Sequence, residues 1–206
     1  MIQRKVLKNG MTIVFKQRKN EVISVAFAVR FGAMNETNKN KGIAHFIEHM
    51  LYKGTPTRDA RRISMEIERN GGELNGFTAE QVTSYWCKMP SKHIDVALEV
   101  LGDMVSNPKF DAKELDKERQ VIFEEMKMYK DNPRMHVFEK IKNNLYKGDF
   151  AMPIIGTEAS MNANTREKLK KLFDEIYTPE NMILCVVGDT NFEKLCSFVE
   201  KNFKKA

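Results

Sequence analysis

The hydrophobic pattern of the first thirty residues predicts β-strands. Two apolar stretches, Gln3 to Leu7 and Met11 to Lys16, flank the pair Asn9-Gly10, a strong signal for a tight hairpin. A third stretch, Val22 to Phe31, is rich in Val, Ile, Phe and Ala, which favour strands. Residues 74–89 carry aromatic and β-branched side chains in alternation, which predicts two strands or one long bent strand.

Apolar residues at helical spacing dominate the rest of the chain. The predicted helices run over Gly42 to Tyr52, Arg58 to Arg69, Ser91 to Ser106, Asp111 to Lys130, Pro133 to Lys147, Thr165 to Tyr177 and Asn191 to Phe203. Met182 to Val187 predicts one more strand, and Gly148 to Ala163 a long irregular loop. This order indicates an α+β fold, a single, mostly antiparallel sheet with helices packed on one face. With no repeat or linker, residues 1–206 are predicted to form one domain.

Composition and charge exclude several classes of protein. The 206 residues are 42% hydrophobic, enough for a core, and 30% charged. No apolar run approaches the roughly 20 residues that a bilayer span needs, and no secretion signal is evident, so we expect a cytoplasmic protein without a membrane partner. The net charge of +6 comes without a basic stripe or motif, which argues against a nucleic-acid partner. Three scattered cysteines predict neither a disulfide framework nor a zinc ribbon.

One short segment carries the candidate chemistry, His45-Phe46-Ile47-Glu48-His49. At about 100° per residue, His45, Glu48 and His49 share one arc of a helix, and the apolar residues take the complementary arc. Two neutral imidazoles at i and i+4 suit Zn²⁺, and a carboxylate on the same face can serve as the base that activates water. This is the H-x-x-E-H pattern of inverzincin metallopeptidases, although so short a pattern also recurs by chance.

A third ligand is expected elsewhere, because catalytic zinc usually keeps three protein ligands and one open position. Along the predicted helix Asp111 to Lys130, Glu118 and Glu125 fall in the middle of the apolar side, whereas Glu124 points away from it. Carboxylates in such a stripe are costly without a compensating cation, which could be the metal or an Arg or Lys of another element. The spacing therefore favours Glu118 or Glu125, and not Glu124, as the third ligand. The apolar residues taken to define this buried side are Leu115, Val121, Ile122, Met126, Met128 and Tyr129.

Further sequence blocks follow the histidine motif in a fixed order. They are Leu51-Tyr52-Lys53-Gly54-Thr55, Gly71-Gly72-Glu73-Leu74-Asn75-Gly76-Phe77-Thr78, the run from Glu118 to Glu125, the run from Met128 to Pro133, and Val186-Val187-Gly188-Asp189. With these blocks the chain resembles the family of pitrilysin, insulin-degrading enzyme and mitochondrial processing peptidase, over essentially its whole length.

The resemblance implies a role for each site residue. His45, His49 and Glu125 would bind Zn²⁺, Glu48 would be the general base, and Glu118 would support activity without binding the metal. The strand Asn75, Gly76, Phe77 and Thr78 would bind an extended peptide substrate through its main chain. Gly76 stands where the family usually has Ala, and Gly32-Ala33-Met34-Asn35-Glu36 departs from the usual Gly-Ser-Arg before a glutamate.

The resemblance also implies a partner. Active members of the family resemble clamshells of two or more homologous domains, and this chain matches only the first, without counterparts of the arginine and tyrosine that the second supplies. We therefore expect a zinc endopeptidase subunit for short or unfolded peptides that works as a homo- or hetero-oligomer with a homologous domain. The alternatives are a non-catalytic scaffold or binding subunit of a similar complex, and a different zinc hydrolase on a similar fold.

Overall fold

The computed structural model describes residues 1–204, in which six strands form one sheet. The strands are β1 (Ile2–Val6), β2 (Thr12–Gln17), β3 (Val22–Val29), β4 (Glu73–Thr78), β5 (Thr83–Pro90) and β6 (Met182–Gly188). Their order across the sheet is β1-β2-β6-β3-β5-β4. All neighbours are antiparallel except β2 and β6, so the predicted single, mostly antiparallel sheet is confirmed. The predicted hairpin at Asn9-Gly10 joins β1 to β2.

Eight α-helices accompany the sheet within residues 1–204. They are α1 (Ile43–Leu51), α2 (Ala60–Glu68), α3 (Ile94–Ser106), α4 (Ala112–Asp131), α5 (Pro133–Leu145), α6 (Glu158–Ala163), α7 (Arg166–Ile176) and α8 (Phe192–Asn202). None of these helices is both long enough and apolar enough to cross a bilayer.

The helices bury one face of the sheet. In β3, Ile23, Val25, Phe27 and Val29 are buried and alternate with side chains that are only half-buried, because successive residues of a strand point to opposite faces. Phe27 stacks on Phe203 just after α8, with ring centroids 5.4 Å apart. The α+β class predicted from the order of elements is therefore confirmed.

The predicted loop Gly148 to Ala163 is wrong in its second half. Residues Glu158–Ala163 form α6, and Gly148–Phe150 form a short 3-10 turn. Thr157 begins α6 by accepting the backbone N–H of Ser160 at 3.2 Å, while the Ser160 hydroxyl oxygen accepts the Thr157 N–H at 2.9 Å. This reciprocal cap is a helix-start signal that the flanking Pro and Gly residues obscured.

A buried carboxylate holds the start of α1. Glu36, which is 1% exposed, accepts the backbone N–H groups of Gly42 at 2.9 Å and Ala44 at 2.8 Å, two of the donors that a helix leaves unpaired in its first turn. The buried ammonium of Lys41 lies 3.6 Å from the same carboxylate. Burial raises the pKa of Glu36 to about 7, against the lowering effect of these two N–H groups and of Lys41. The beginning of α1 is therefore fixed two residues before His45.

Candidate metal centre

Helix α1 has an apolar face that packs in the core and a polar face that carries the candidate site residues. Its apolar residues Ile43, Ala44, Phe46, Ile47, Met50 and Leu51 are buried against the sheet and α4. His45, Glu48 and His49 lie on the remaining face, as the helical spacing predicted. Because the apolar side anchors the helix, the three polar side chains are held in place by its backbone.

Two helices bring three possible ligands together. A nitrogen of His45, a nitrogen of His49 and an oxygen of Glu125 all lie within 4.8 Å of one another. His45 Nε2 is 3.8 Å and His49 Nε2 is 3.6 Å from Glu125 Oε2, although α1 and α4 are more than sixty residues apart along the chain. Two imidazoles and one carboxylate are a donor set that suits zinc and leaves a fourth position open.

The two histidines have opposite electrostatic surroundings. Burial, together with the neighbouring His49, lowers the pKa of His45 to about 3, which keeps its imidazole neutral. Burial would also lower the pKa of His49, but the hydrogen bond to Glu118 and the charges of Glu125 and Glu48 outweigh it and raise the pKa. His49 is therefore the imidazole that the surrounding carboxylates polarise.

Glu48 lies in a largely dry position beside the histidines. Its residue is 9% exposed, and the Thr78 hydroxyl donates to its Oε2 at 2.6 Å. Burial raises the pKa of Glu48 in spite of this hydrogen bond, and a carboxylate with a raised pKa is a stronger base. Thr78, predicted as part of the substrate strand, thus contacts the predicted base directly.

Glu118 is not one of the three converging ligands, but it contacts one of them, His49, at the Nδ1 atom. Its Oε2 lies 3.0 Å from His49 Nδ1, and its Oε1 lies 2.6 Å from Lys53 Nζ. Burial would raise the pKa of Glu118, but the hydrogen bonds with His49 and Lys53 outweigh it and lower the pKa. The Glu118 side chain is 8% exposed and its charge is fully paired.

The buried side predicted for α4 is only partly correct. Leu115, Glu118, Ile122 and Met126 are buried, but the predicted core positions Val121, Met128 and Tyr129 are 43%, 55% and 38% exposed. The Glu125 side chain is 31% exposed, so it faces the site from the margin of the buried stripe and not from its middle. The reason is that the helices packed against α4, namely α1, α5 and α6, cover less of its surface than the apolar residues occupy.

The predicted substrate segment is the edge strand of the sheet. Asn75, Gly76, Phe77 and Thr78 belong to β4, which pairs only with β5 and leaves its other side free within the described sheet. The Gly76 N–H donates to the side-chain oxygen of Asn75 at 2.8 Å. The Phe77 side chain is 47% exposed beside the site. The free edge of β4 thus runs past the metal ligands.

The structure gives a steric reason for glycine at position 76. A Cβ atom added there would lie 2.5 Å from the Tyr52 hydroxyl oxygen and 2.9 Å from the Ser84 carbonyl oxygen, closer than real Cβ contacts allow. The Tyr52 hydroxyl is buried and has no hydrogen-bond partner in the described chain. The Tyr52 hydroxyl therefore occupies space that the methyl group of an alanine at position 76 would need. A phenylalanine at position 52 would free part of that space.

A cleft of about 500 Å³ opens beside the ligands. Its polar floor includes His45, Glu48 and Thr78, and helix α5 forms one wall. The apolar lining consists of Phe77, Met135, Phe138, Pro153, Ile154 and Ile155. The ion pair between Lys142 of α5 and Glu80, at 2.9 Å, ties this wall to the β4–β5 turn.

The sequence predictions missed four contributors to this site. They are Lys53, the cap at Glu36, the Tyr52 hydroxyl and the α5 wall. The spacing of Lys53, four residues after His49, was a usable signal, because it places Lys53 about one turn beyond His49 near the end of the helix. The others depend on partners that only the fold brings near.

Comparison with solved structures identifies the class of protein. The crystal structure of a protease from Helicobacter pylori superposes with a TM-score of 0.92 at 29% identity, covering 99% of this chain and 50% of that one. A structure described as a peptidase M16 inactive domain, from Pseudomonas fluorescens, is 18% identical with a TM-score of 0.90, which shows a common fold. The fold is thus that of M16-type peptidases.

Sequence comparison identifies the family. The family model described as "Insulinase (Peptidase family M16)" matches residues 12–158, and the model "Peptidase M16 inactive domain" matches residues 164–206. The chain belongs to peptidase family M16, as its resemblance to the insulin-degrading enzyme family predicted.

Curated relatives of the chain carry the names of proteases. The chain is 37% identical to YmxG of Bacillus subtilis, named an uncharacterized zinc protease, over 98% of this chain and 50% of that protein. It is 32% identical to the mitochondrial-processing peptidase subunit beta of Dictyostelium discoideum, over 96% of this chain and 42% of that protein. The chain spans about half the length of the curated relatives it matches.

Proposed function

We propose that this chain is the metal-binding part of a zinc-dependent endopeptidase that hydrolyses short or unfolded peptides. The observation that carries the proposal is the convergence of His45, His49 and Glu125 within 4.8 Å, next to a buried carboxylate, Glu48, on the same helix face. The names of the relatives, which are zinc proteases, support the same reaction class.

Each side chain has a distinct task in this proposal. Zinc, when held by His45, His49 and Glu125, supplies a Lewis acid that polarises a peptide carbonyl and acidifies water. Glu48 takes a proton from the attacking water at Oε1 and passes it to the leaving amine, while Thr78 holds Oε2. Glu118 accepts a hydrogen bond from His49 Nδ1, which keeps the Nε2 lone pair directed toward Glu125.

The substrate would bind as an added strand along β4. A free sheet edge offers main-chain donors and acceptors in an extended row, which recognises any peptide backbone. The Gly76 N–H now donates to the Asn75 side chain, so binding requires that side chain to turn away. The apolar lining of the cleft, including Phe77 and Phe138, would accept an apolar side chain of the peptide.

We further propose that a homologous domain or chain completes the site. The chain corresponds to about half of its relatives, and one wall of the cleft is open to solvent on this chain alone. A second domain could bury the bound peptide and exclude bulk water, which strengthens electrostatic interactions in a site.

The test replaces the base and keeps the ligands. With a protected, unstructured peptide and the partner domain present, Glu48→Gln is expected to bind one zinc per chain and to lose at least about 10²-fold in turnover, the usual contribution of a general base. Glu124→Gln, on the solvent side of α4, is the matched control and is expected to retain full turnover. Unchanged turnover in Glu48→Gln would refute the mechanism. Absence of bound zinc in the parent protein would favour the scaffold alternative.

A further inference from the structure

A short chain of contacts leads away from His49. His49 Nδ1 lies 3.0 Å from Glu118 Oε2, and the other oxygen of the same carboxylate lies 2.6 Å from Lys53 Nζ. Each oxygen of Glu118 therefore has one partner, and the carboxylate cannot rotate without losing both. Lys53 lies two residues beyond Leu51, the last residue of α1, and its ammonium reaches the Glu118 carboxylate from this end of the helix.

The two histidines differ in how they are oriented. Within residues 1–204, His45 Nδ1 is buried without a hydrogen-bond partner, whereas His49 Nδ1 is paired with Glu118. Of the two histidine rings, only that of His49 is thus oriented by a hydrogen bond at Nδ1, the nitrogen that does not face Glu125. A residue that immobilises Glu118 consequently helps to place the His49 ligand nitrogen relative to Glu125.

Charge balance singles out the same lysine. Glu48, Glu118 and Glu125 bring three carboxylates to one partly buried site. A divalent cation would neutralise two of those charges and leave one. Among residues 1–204, Lys53 is the lysine or arginine that forms an ion pair with a carboxylate of this group, and its side chain is 27% exposed. An uncompensated carboxylate in such a position is costly, so the lysine stabilises the charged form of Glu118.

We infer that Lys53 is a positioning residue for the metal site, which acts through Glu118 to hold His49 in its ligand orientation. The inference rests on the zinc site of the proposed function. The competing interpretation is that Lys53 only ties the end of α1 to α4, as a cation at a helix C-terminus often does. The two interpretations differ in what happens to metal affinity, as opposed to stability.

The experiment measures zinc affinity by competition with a chelating dye, in four proteins: the parent, Lys53→Met, Glu118→Gln and the double variant. Loss of a group that hydrogen-bonds to a metal ligand typically weakens metal affinity by about 10–100-fold. Lys53 contacts Glu118 and not the ligand itself, so Lys53→Met is expected to weaken zinc binding by about 3–10-fold. In the Glu118→Gln background the same change is expected to have no further effect, because the neutral amide has already lost the ion pair with Lys53. Lys53→Arg keeps the charge and is expected to restore most of the affinity.

Lys117→Met is the matched control. Lys117 and Glu114 both lie on α4 and form an exposed ion pair at 2.6 Å that does not involve the site residues. Loss of Lys117 should therefore leave zinc affinity unchanged. Cobalt gives a second readout, since its visible absorption reports ligand geometry and should change in Lys53→Met but not in Lys117→Met.

The possible outcomes separate the two proposals. Zinc affinity that is equal in Lys53→Met and the parent protein overturns the inference and leaves the proposed function standing. If Lys53→Met weakens binding equally with and without the Glu118→Gln substitution, the inference is also overturned, because the lysine would then act by another route. If the parent protein binds no zinc, both the inference and the proposed function fail.

Discussion

At the scale of single residues, the close approach of the Tyr52 hydroxyl to Gly76 links α1 to the edge strand β4. Tyr52 follows directly on α1, and Gly76 lies in the middle of β4. The Tyr52 hydroxyl has no hydrogen-bond partner in the described chain, yet together with the Ser84 carbonyl it leaves no room for a Cβ at position 76.

Gly76→Ala is therefore expected to lower the free energy of unfolding by about 1–3 kcal/mol, the usual cost of forcing extra atoms into a packed site. Tyr52→Phe alone should change it by less than about 0.5 kcal/mol, because it removes an unpaired hydroxyl. In the double variant we expect a coupling of at least about 1 kcal/mol in favour of stability. The recovery should be partial, since the Ser84 carbonyl remains 2.9 Å from the new Cβ.

Urea unfolding of the four proteins measures this coupling. Gly72→Ala is the control, because a Cβ at position 72 would meet Ile67 and Met89 but not Tyr52. Its cost should be the same with Tyr or Phe at position 52. Additive losses for Gly76→Ala and Tyr52→Phe would show that the hydroxyl does not determine the residue at position 76.

Local spacing predicted which residues converge because each helix carries its own geometry. His45, Glu48 and His49 needed only the helical period. The position of Glu125 on its helix separated it from Glu124, but only the family resemblance separated it from Glu118. Their assigned roles remain predictions. Lys53 and the Tyr52 hydroxyl escaped prediction because their significance comes from Glu118 and Gly76, residues that become neighbours only after folding. The exposure of Val121 was not predicted for a related reason, since the sequence does not show how much of the α4 surface its neighbouring helices cover.

At the scale of elements, the cap at Glu36 links the start of α1 to pH. The carboxylate is buried among two backbone N–H groups and Lys41, and burial raises its pKa to about 7 from an unperturbed 4.5, while burial lowers the pKa of Lys41. The folded protein thus holds a proton at Glu36 that the unfolded chain has already released. Stability from this group is complete below about pH 4.5 and is lost as the pH rises toward 7.

We expect the free energy of unfolding of the metal-free protein to fall by roughly 1–3 kcal/mol across that interval because of Glu36. Denaturant titrations at a series of pH values measure it. Glu36→Gln does not titrate and should lack this part of the slope, while groups that do not contact Glu36 contribute equally in the two proteins. Identical slopes in the two proteins would mean that Glu36 is ionised throughout.

Secondary structure was predictable to within a few residues for every long element, because apolar spacing and caps are local. The order of strands was not, since nothing in β6 alone indicates that it lies between β2 and β3. Helix α6 was missed because six residues show no clear period, and its cap at Thr157 resembles an ordinary polar loop.

At the scale of the whole molecule, the metal ligands join α1 to α4 across the chain. A metal that binds only when both helices are packed stabilises the folded state by mass action. At a free zinc concentration 100-fold above the dissociation constant, the gain is about 2.7 kcal/mol. For a chain of this size, that corresponds to a rise of roughly 5–10 °C in the unfolding midpoint.

Thermal unfolding with zinc and with a chelator is expected to show this difference in the parent protein and not in His45→Ala. The variant should otherwise unfold normally, because the His45 ring faces the cleft and not the core. A zinc-dependent shift of equal size in His45→Ala would place the metal elsewhere.

The position of β6 has a consequence for synthesis of the chain. β6 is made last of the six strands, yet it occupies an inner place in the sheet, parallel to β2 and antiparallel to β3. At about 5–20 residues per second, roughly 5–18 s separate the completion of β5 from the start of β6. Until then the sheet remains in two parts, β1–β2 and β3–β5–β4, with unpaired edges facing each other. A nascent chain therefore exposes the unpaired edges of β2 and β3 until β6 is made, and such edges can pair with other chains and aggregate.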